Sequence, residues 1–421
     1  MSEYKPRLID SELKDDLEAF GAVLIVGPKW CGKTTTALQI AKSVLRMQDR
    51  DTRERNMALA RLKPSELLKG DNPRLIDEWQ MAPQLWDSVR LSVDLRNKPG
   101  LYILTGSTIV NKETIDHSRT GHIDKLKMGT MSLFESGDSV GSVSLRELFD
   151  GGIEVSGISN AELGDIAGLI IRGGWPQSVG KSEKIAQKLI KGYCESIIDT
   201  DVISIGERRR NPHKMRGVLR SLSRSTASPM SRKNIIRDIS SKEDSGISEN
   251  TLNDYLDALR EIFVLEELPA WNPNLRSKTA IRTADTVHMC DPAVAAYFSG
   301  ASKDGLMNDP NTFGLLFESL VIRDLRAYAR NIGGDVFHYR DKSGLEADAV
   351  IRLHNGKWAA IEIKLGESWA DESAYNLRKL KEKVNREEMG EPAFLAVITG
   401  SSCAYTRSDG VHIIPIACLR N

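Results

Sequence analysis

The stretch that decides the fold is GPKWCGKTT, Gly27–Thr35. A short apolar run, Ala22-Val23-Leu24-Ile25-Val26, leads into it, and a helix-like segment, ALQIAKSVL from Ala37 to Leu45, follows. Strand, glycine-bounded turn and helix in that order are what a phosphate-binding P-loop requires. Gly27 and Gly32 let the backbone turn inward, so that successive N–H groups face an anion. The helix behind them adds its partial positive charge. Lys33 is placed to reach the β- and γ-phosphates, and the Thr34 hydroxyl to complete a Mg²⁺ shell. The whole loop (Gly27, Pro28, Lys29, Trp30, Cys31, Gly32, Lys33, Thr34 and Thr35) is the expected cradle for ATP, with Trp30 and Cys31 at variable positions that need carry no chemistry. The alternative is a chance glycine turn before a surface helix.

The rest of the composition is that of an ordinary soluble protein. At 421 residues the chain reads as about two to four domains. Apolar residues make up 40% and charged residues 28%. Lys+Arg and Asp+Glu both number 58, so net charge argues neither for nor against nucleic acid, and only local charge can do so. The cysteines Cys31, Cys194, Cys290, Cys403 and Cys418 are scattered, with no CxxC spacing, which fits a reducing cytoplasm and gives no zinc framework. The start, MSEYKPRLID, lacks an apolar signal core, and no run approaches the roughly 18 apolar residues of a membrane span.

In the first expected domain, residues 1–150, Ser11–Phe20 reads as a helix that leads through Gly21 into the P-loop strand, and NMALARLKPSELLKG reads as another ending at Gly70. PRLIDEWQ follows, with Leu75 and Ile76 ending a buried strand and Asp77-Glu78 at its tip. In a doubly wound sheet that tip lies beside the P-loop. Asp77 can then order the water shell of Mg²⁺, and Glu78 can polarise the water that attacks the γ-phosphate. An acidic pair at a strand end also often just caps the next helix. Leu101–Leu104 is a further apolar strand, with Thr105 and Ser107 hydroxyls at its tip. They can position the attacking water, or merely form a Thr-Gly-Ser turn.

GPKWCGKTT, RLIDEWQ, LTGS, MSLFESG (Met131–Gly137), RGGWP (Arg172–Pro176) and FESLVIRDLRAYA together resemble AAA+-like ATPases of bacteria and archaea. In these, an N-terminal P-loop domain is joined to a C-terminal domain of unassigned function. The resemblance covers nearly the whole chain. Such proteins commonly carry a Gly-Arg pair between the LTGS and MSLFESG stretches, whereas this chain has Gly121-His122. Arg90, Arg96, Arg119 and Arg146 all stay open as a trans-acting arginine. The resemblance also implies that residues 151–228, with one helix over Asn160–Arg172 and a longer one over Ser182–Ile203, form a helical lid or linker.

Residues 229–304 read as a winged-helix-like domain: SRKNIIRDI, then an amphipathic helix over Thr251–Ile262 running into an apolar strand, Ile262–Leu265. Ser231, Arg232, Lys233 and Lys242 would stand near the entry of the second helix, as for a helix entering the DNA major groove. Asp254, Asp257 and Glu261 on that helix would repel phosphates, so a packing module between domains is an equal alternative. The basic run Glu207-Arg208-Arg209-Arg210 reads as a solvated helix end or as a phosphate contact.

Residues 305–421 place Glu318 on a helix, Asp348 on one strand, and Glu362-x-Lys364 on its hairpin partner across Asn355-Gly356. That arrangement resembles the PD-(D/E)XK nuclease fold. Asp348 and Glu362 are hard oxygen ligands for Mg²⁺, with Glu318 as a further metal ligand and Glu346 as a second acidic candidate. Lys364 is placed to orient or deprotonate a water. A structural ion pair across the hairpin is the alternative. The fold class expected is α/β: a P-loop AAA+-like parallel-sheet domain, a helical and winged-helix middle, and a PD-(D/E)XK-like end. The function expected is Mg²⁺-dependent ATP hydrolysis that regulates a partner, either double-stranded DNA or a protein client, in a monomer or a homo-oligomer. The alternatives are an ATP-gated DNA nuclease and a non-hydrolytic ATP-dependent switch.

Overall fold

Every residue of Ala22–Val26 is buried, as a strand covered on both faces requires. The computed structural model describes residues 4–108, 122–151, 154–201, 210–240, 246–273 and 284–421. It divides into two compact units, Met1–Thr130 with Arg260–Phe263, and Met131–Leu259 with Val264–Asn421.

In the first unit the strands are β1 (Ala22–Val26), β2 (Ser43–Arg46), β3 (Arg74–Asp77), β4 (Tyr102–Gly106) and β5 (Ile123–Lys127). The helices are α1 (Ile9–Ala19), α2 (Lys33–Leu38), α3 (Arg53–Leu62) and α4 (Leu85–Arg96). The sheet is parallel in the order β2-β3-β4-β1-β5. Alternate residues of β1 serve opposite faces. Val23 and Ile25 pack with Leu13 and Leu17 of α1, while Leu24 and Val26 share a cluster with Trp86 and Val89 of α4. The helix expected over Ala37–Leu45 is cut short. Lys42 N–H donates to Pro73 O at 2.9 Å, and Ser43–Arg46 pairs along β3, so the exposed edge of that strand captures a segment whose local pattern suits a helix. The helix expected to reach Gly70 stops at Leu62, ahead of Pro64, which cannot donate within a helix.

Asp16 on α1 faces Asp124 on β5, and burial, then Asp124, pushes its carboxyl up to about 7. A carboxyl raised on folding contributes stability that is fully present below its unfolded pKa and lost as pH rises through the folded value. An Asp16→Asn variant should therefore melt higher than the unaltered chain at pH 8 and the same at pH 4. Thermal melts at both pH values test this, and equal melting at pH 8 would contradict it.

The second unit opens with α5 (Leu133–Ser136), β6 (Val143–Ser144), α6 (Leu145–Asp150) and β7 (Gly157–Ile158). A helical stretch follows: α7 (Leu163–Arg172), α8 (Glu183–Ser196), α9 (Pro212–Arg224), α10 (Arg232–Ser240), α11 (Glu249–Glu261), α12 (Pro292–Ser299), α13 (Lys303–Asn308) and α14 (Pro310–Asn331). It ends in β8 (Gly334–Arg340), β9 (Glu346–Leu353), β10 (Trp358–Lys364), α15 (Ala370–Lys383), α16 (Arg386–Met389), β11 (Leu395–Thr399), β12 (Cys403–Thr406), β13 (His412–Pro415) and β14 (Leu419–Arg420). The larger sheet has the order β7-β12-β13-β11-β10-β9-β8, and β14 pairs with β6. The apolar segment Ile262–Leu265 is not a continuous strand. Phe263 adopts φ 59°, and among the described residues the pairing around it consists of isolated bridges, Leu265–Met289, Leu268–Thr286, Pro229–Thr286 and Ala270–His338.

Several of the sequence motifs are scaffold in this unit. MSLFESG is a capped single turn: the Ser132 hydroxyl accepts Glu135 N–H at 3.2 Å, Glu135 accepts Ser132 N–H at 2.7 Å, and Gly137 closes it at φ 84°. In RGGWP, Gly174 N–H donates to Asp291 at 2.9 Å, and a Cβ on Gly174 would meet Met131 O at 2.3 Å. Arg323 of α14 ties these pieces together, donating to Asp291 at 3.0 Å and to Asp324 at 2.6 Å, while Asp324 accepts Leu133 N–H at 2.9 Å. All three charged groups are buried. Arg172 adds a bidentate pair to Asp138, at 3.0 and 2.7 Å.

Candidate functional site

The parallel register carries the chemistry of the first unit to one edge of its sheet. Val26 lies opposite Gly106, and Asp77 lies opposite Thr105, so the P-loop and the tips of β3 and β4 meet. β4 stands between the P-loop strand and the Asp-Glu strand. Gly27 and Gly32 hold φ 152° and 112°, and a Cβ on Gly27 would lie 1.9 Å from Met128 O. Only glycine fits there. Lys33 is buried, and its ammonium donates to the carbonyls of Gly27 and Pro28, both at 2.8 Å. An ammonium has three donors, so one is left to turn toward a phosphate.

Thr34 Oγ1 and Thr105 Oγ1 both donate to Asp77 Oδ1, at 2.7 and 2.6 Å. Thr105 thus fixes Asp77 instead of projecting toward a phosphate. Glu78 sits in the left-handed region at φ 56°, ψ 47°. Its carboxylate accepts Ser107 Oγ at 3.3 Å and a short bond from Gln80 Nε2. The donor set suits ATP with Mg²⁺: a glycine cradle that a Cβ would fill, an ammonium at the loop, and a threonine hydroxyl joined to a carboxylate.

In the second unit, Asp348 and Glu362 come together through Lys364. Lys364 Nζ lies 3.2 Å from Asp348 and 2.9 Å from Glu362, and Asp348 also accepts Ile363 N–H at 2.7 Å. The hairpin ladder ends at Ile361–Ala349, and this side-chain bond continues it. Glu362 is buried, with Oε1 lacking a hydrogen-bond partner among the described residues. Burial, then Asp348, pushes its carboxyl well above the usual range, against the pull of Lys364. Burial also raises the Glu318 carboxyl, with Asp348 adding to it. For Lys364 burial works the other way, but Asp348 and Glu362 overcome it and hold the ammonium well above its ordinary value. Glu346 turns aside to Arg340, at 3.4 Å. Among the described residues, no group of three or more His, Cys, Asp or Glu side chains is arranged to hold a metal ion. Of the expected trio, Asp348 and Glu362 are thus ion-paired through Lys364, with Glu318 electrostatically coupled to them, and among the described residues the three do not form a three-ligand metal site.

The first unit's site has a match among known families. Residues 19–136 match the AAA domain family. Over these residues the chain is AAA+-like, and such a domain implies nucleotide binding. Residues 163–305 and 313–419 match two domains of unknown function, DUF8612 and DUF4143. Two curated relatives, the uncharacterized proteins Mb2031c of Mycobacterium bovis and Rv2008c of Mycobacterium tuberculosis, are each 23% identical over 358 residues, covering 84% of this chain and 72% of theirs. The Walker-type ATPase PABY2304 of Pyrococcus abyssi is similar at 13% identity, covering 69% of this chain and 94% of its own, with a TM-score of 0.35. The ORC1 protein of Aeropyrum pernix, solved in complex with DNA, is similar at 12% identity, covering 74% and 95%, with a TM-score of 0.26.

Two residues that support the site of the first unit were not singled out from sequence. Gln80, which holds Glu78, was already inside the RLIDEWQ motif, where its spacing from Glu78 is a usable signal. Buried Arg7 donates to Cys31 O at 2.8 Å and to Gly129 O at 3.0 Å, bracing the loop from outside, and no sequence pattern announces it. Of the candidate arginines, Arg96 bonds Asn72 at 2.7 Å and Arg146 bonds Asn331 O at 3.1 Å, while Arg90 Nε is buried without a partner among the described residues. Arg119, Gly121, Glu207, Arg208, Arg209 and Lys242 lie outside the described residues. No helix among the described residues is long and apolar enough to cross a membrane.

Proposed function

We propose that the chain hydrolyses ATP with Mg²⁺ and uses the cycle to regulate a partner, double-stranded DNA or a protein. The single observation behind this reading is the meeting of Thr34, Asp77 and Thr105 beside Glu78 at one sheet edge. The P-loop Gly27–Thr35 holds the phosphates, with the ammonium of Lys33 against the β- and γ-groups. Thr34 and Asp77 would hold Mg²⁺, which supplies charge neutralisation on the phosphates when bound. Glu78 takes the proton of the attacking water, and Ser107 and Gln80 set the direction of its carboxylate. The helices α10 and α11 with their bridged segment serve as a winged helix in this reading. Asp254 on α11 is neutralised by Arg210 at 2.9 Å, which eases but does not remove the repulsion of phosphates. Measuring ATP turnover with and without duplex DNA tests the coupling: a change in turnover on adding DNA supports a DNA partner, and none points to a protein client.

A second reading, an ATP-gated nuclease, is favoured by one observation, the buried Glu362 oxygen that has no hydrogen-bond partner among the described residues, next to Lys364. It predicts Mg²⁺-dependent cleavage of duplex DNA, followed in the same assay, that falls at least about 100-fold in a Glu362→Gln variant. Cleavage that persists in that variant, or is absent from the unaltered chain, contradicts it. The binding-switch alternative predicts nucleotide binding without turnover.

A further inference from the structure

We propose that a groove between α9 and the α12–α13 corner is a second phosphate-binding site, one that takes the backbone of a nucleic acid. The inference rests on the partner half of the function proposed above and not on ATP hydrolysis. Arg216, Arg220 and Arg224 recur every four residues along α9 and so share one stripe. At 1.5 Å per residue the stripe runs about 12 Å. A DNA strand carries one charge per about 3.4 Å, so the stripe matches about three or four phosphates.

The three arginines, with Tyr297 and Ser299, line a cavity of about 570 Å³. It continues through Arg224, Ser299 and Gly300 into a second cavity of about 330 Å³, lined among others by Thr226 and Ser302. The Thr226 side chain is 1% exposed, and its hydroxyl has no hydrogen-bond partner among the described residues. A buried hydroxyl left unmatched at the wall of a cavity points to a ligand atom that completes it.

The charges around the groove are not balanced. Arg216 is fixed by Glu195, which also accepts the Tyr297 hydroxyl, and Arg224 pairs with Asp238 at 3.2 Å. Exposed Arg220 has no partner among the described residues and is the uncompensated cation. A guanidinium carries five donors, and Glu195 takes two from Arg216, so fixed donors remain for phosphate oxygens. Asp309, the one carboxylate among the described residues that line the two cavities, is taken up in capping α14, where it accepts Thr312 N–H at 3.2 Å. Arginines joined by serine and threonine hydroxyls are the donors that contact phosphates without reading sequence. The acidic face of α11 is then spared that task.

The test uses the full chain and a fluorescein-labelled duplex of about 20 base pairs, titrated by anisotropy between about 50 and 200 mM salt. The unaltered chain should bind. Arg220→Glu should weaken binding at least about tenfold and Arg220→Gln should lower the salt slope by about 1. Thr226→Val should weaken binding about threefold without changing the slope, because it removes an uncharged contact. Lys33→Ala should bind the duplex as the unaltered chain does, separating this site from the P-loop. Inorganic polyphosphate should displace the duplex and poly-glutamate should not. The proposal is overturned if the unaltered chain does not bind, if Arg220→Glu, folded by its thermal melt, binds with the same affinity and slope, or if poly-glutamate competes equally, which would mark a protein partner. ATP turnover lost or retained leaves each of these outcomes unchanged.

Discussion

A Glu78→Gln variant should bind ATP as the unaltered chain does and turn it over about 10²–10⁴-fold more slowly. Gln keeps the size of Glu and can still meet Ser107 and Gln80, but it cannot take a proton from water. Its position is what singles Glu78 out: it follows Asp77 directly, at a left-handed backbone turn just past the end of the strand, with its carboxylate on Ser107 and Gln80. Asp77 is already committed to Thr34 and Thr105, so it is not free to act as the base. Titration with a fluorescent nucleotide and a phosphate-release assay on the same preparation check both halves. Unchanged turnover would transfer the base to another group.

An Asp324→Ala variant loses about 3–5 kcal/mol of stability in the second unit, because it leaves Arg323 buried with half of its partners gone. Burial raises the Asp324 carboxyl while Arg323 and the Leu133 N–H pull it down, so the group depends on both. Removing the carboxylate also strands the Leu133 N–H at the start of α5. The cost should appear as a drop in melting temperature on the order of 10 °C. Replacing Arg323, Asp291 and Asp324 together with apolar residues of similar size should cost far less than Asp324→Ala alone, since no charge is then left unpaired. A single variant that melts like the unaltered chain would show that the network carries little.

The P-loop was legible because its chemistry is local: two glycines, a lysine and a threonine at fixed spacing after a buried run. The place of Asp77 and Glu78 at a strand tip was legible because the apolar pair Leu75-Ile76 ends there. The parallel sheet followed from the same pattern. Other features depend on distant residues. Ser43–Arg46 becomes strand because an edge of β3 awaits it, and Arg7 reaches the loop from a segment that carries no motif. The motifs MSLFESG and RGGWP read as marks of a resemblance, but their residues cap a turn and allow close approach to Asp291 and Met131. The Glu362-x-Lys364 spacing put both side chains on one face, yet the alternation of a strand could not say whether Lys364 faces a metal or stands between two carboxylates. The arginine stripe of α9 carries no motif that marks a groove, because the wall that makes it one comes from residues about eighty positions away.

The most direct test of the account is ATP turnover by Lys33→Ala in the presence of Mg²⁺, beside the unaltered chain. Lys33 is buried at the loop and its ammonium is held by the Gly27 and Pro28 carbonyls, so Ala removes the ammonium proposed to meet the β- and γ-phosphates. The account predicts Mg²⁺-dependent phosphate release by the unaltered chain and none above background in the variant. Equal release by both would contradict it.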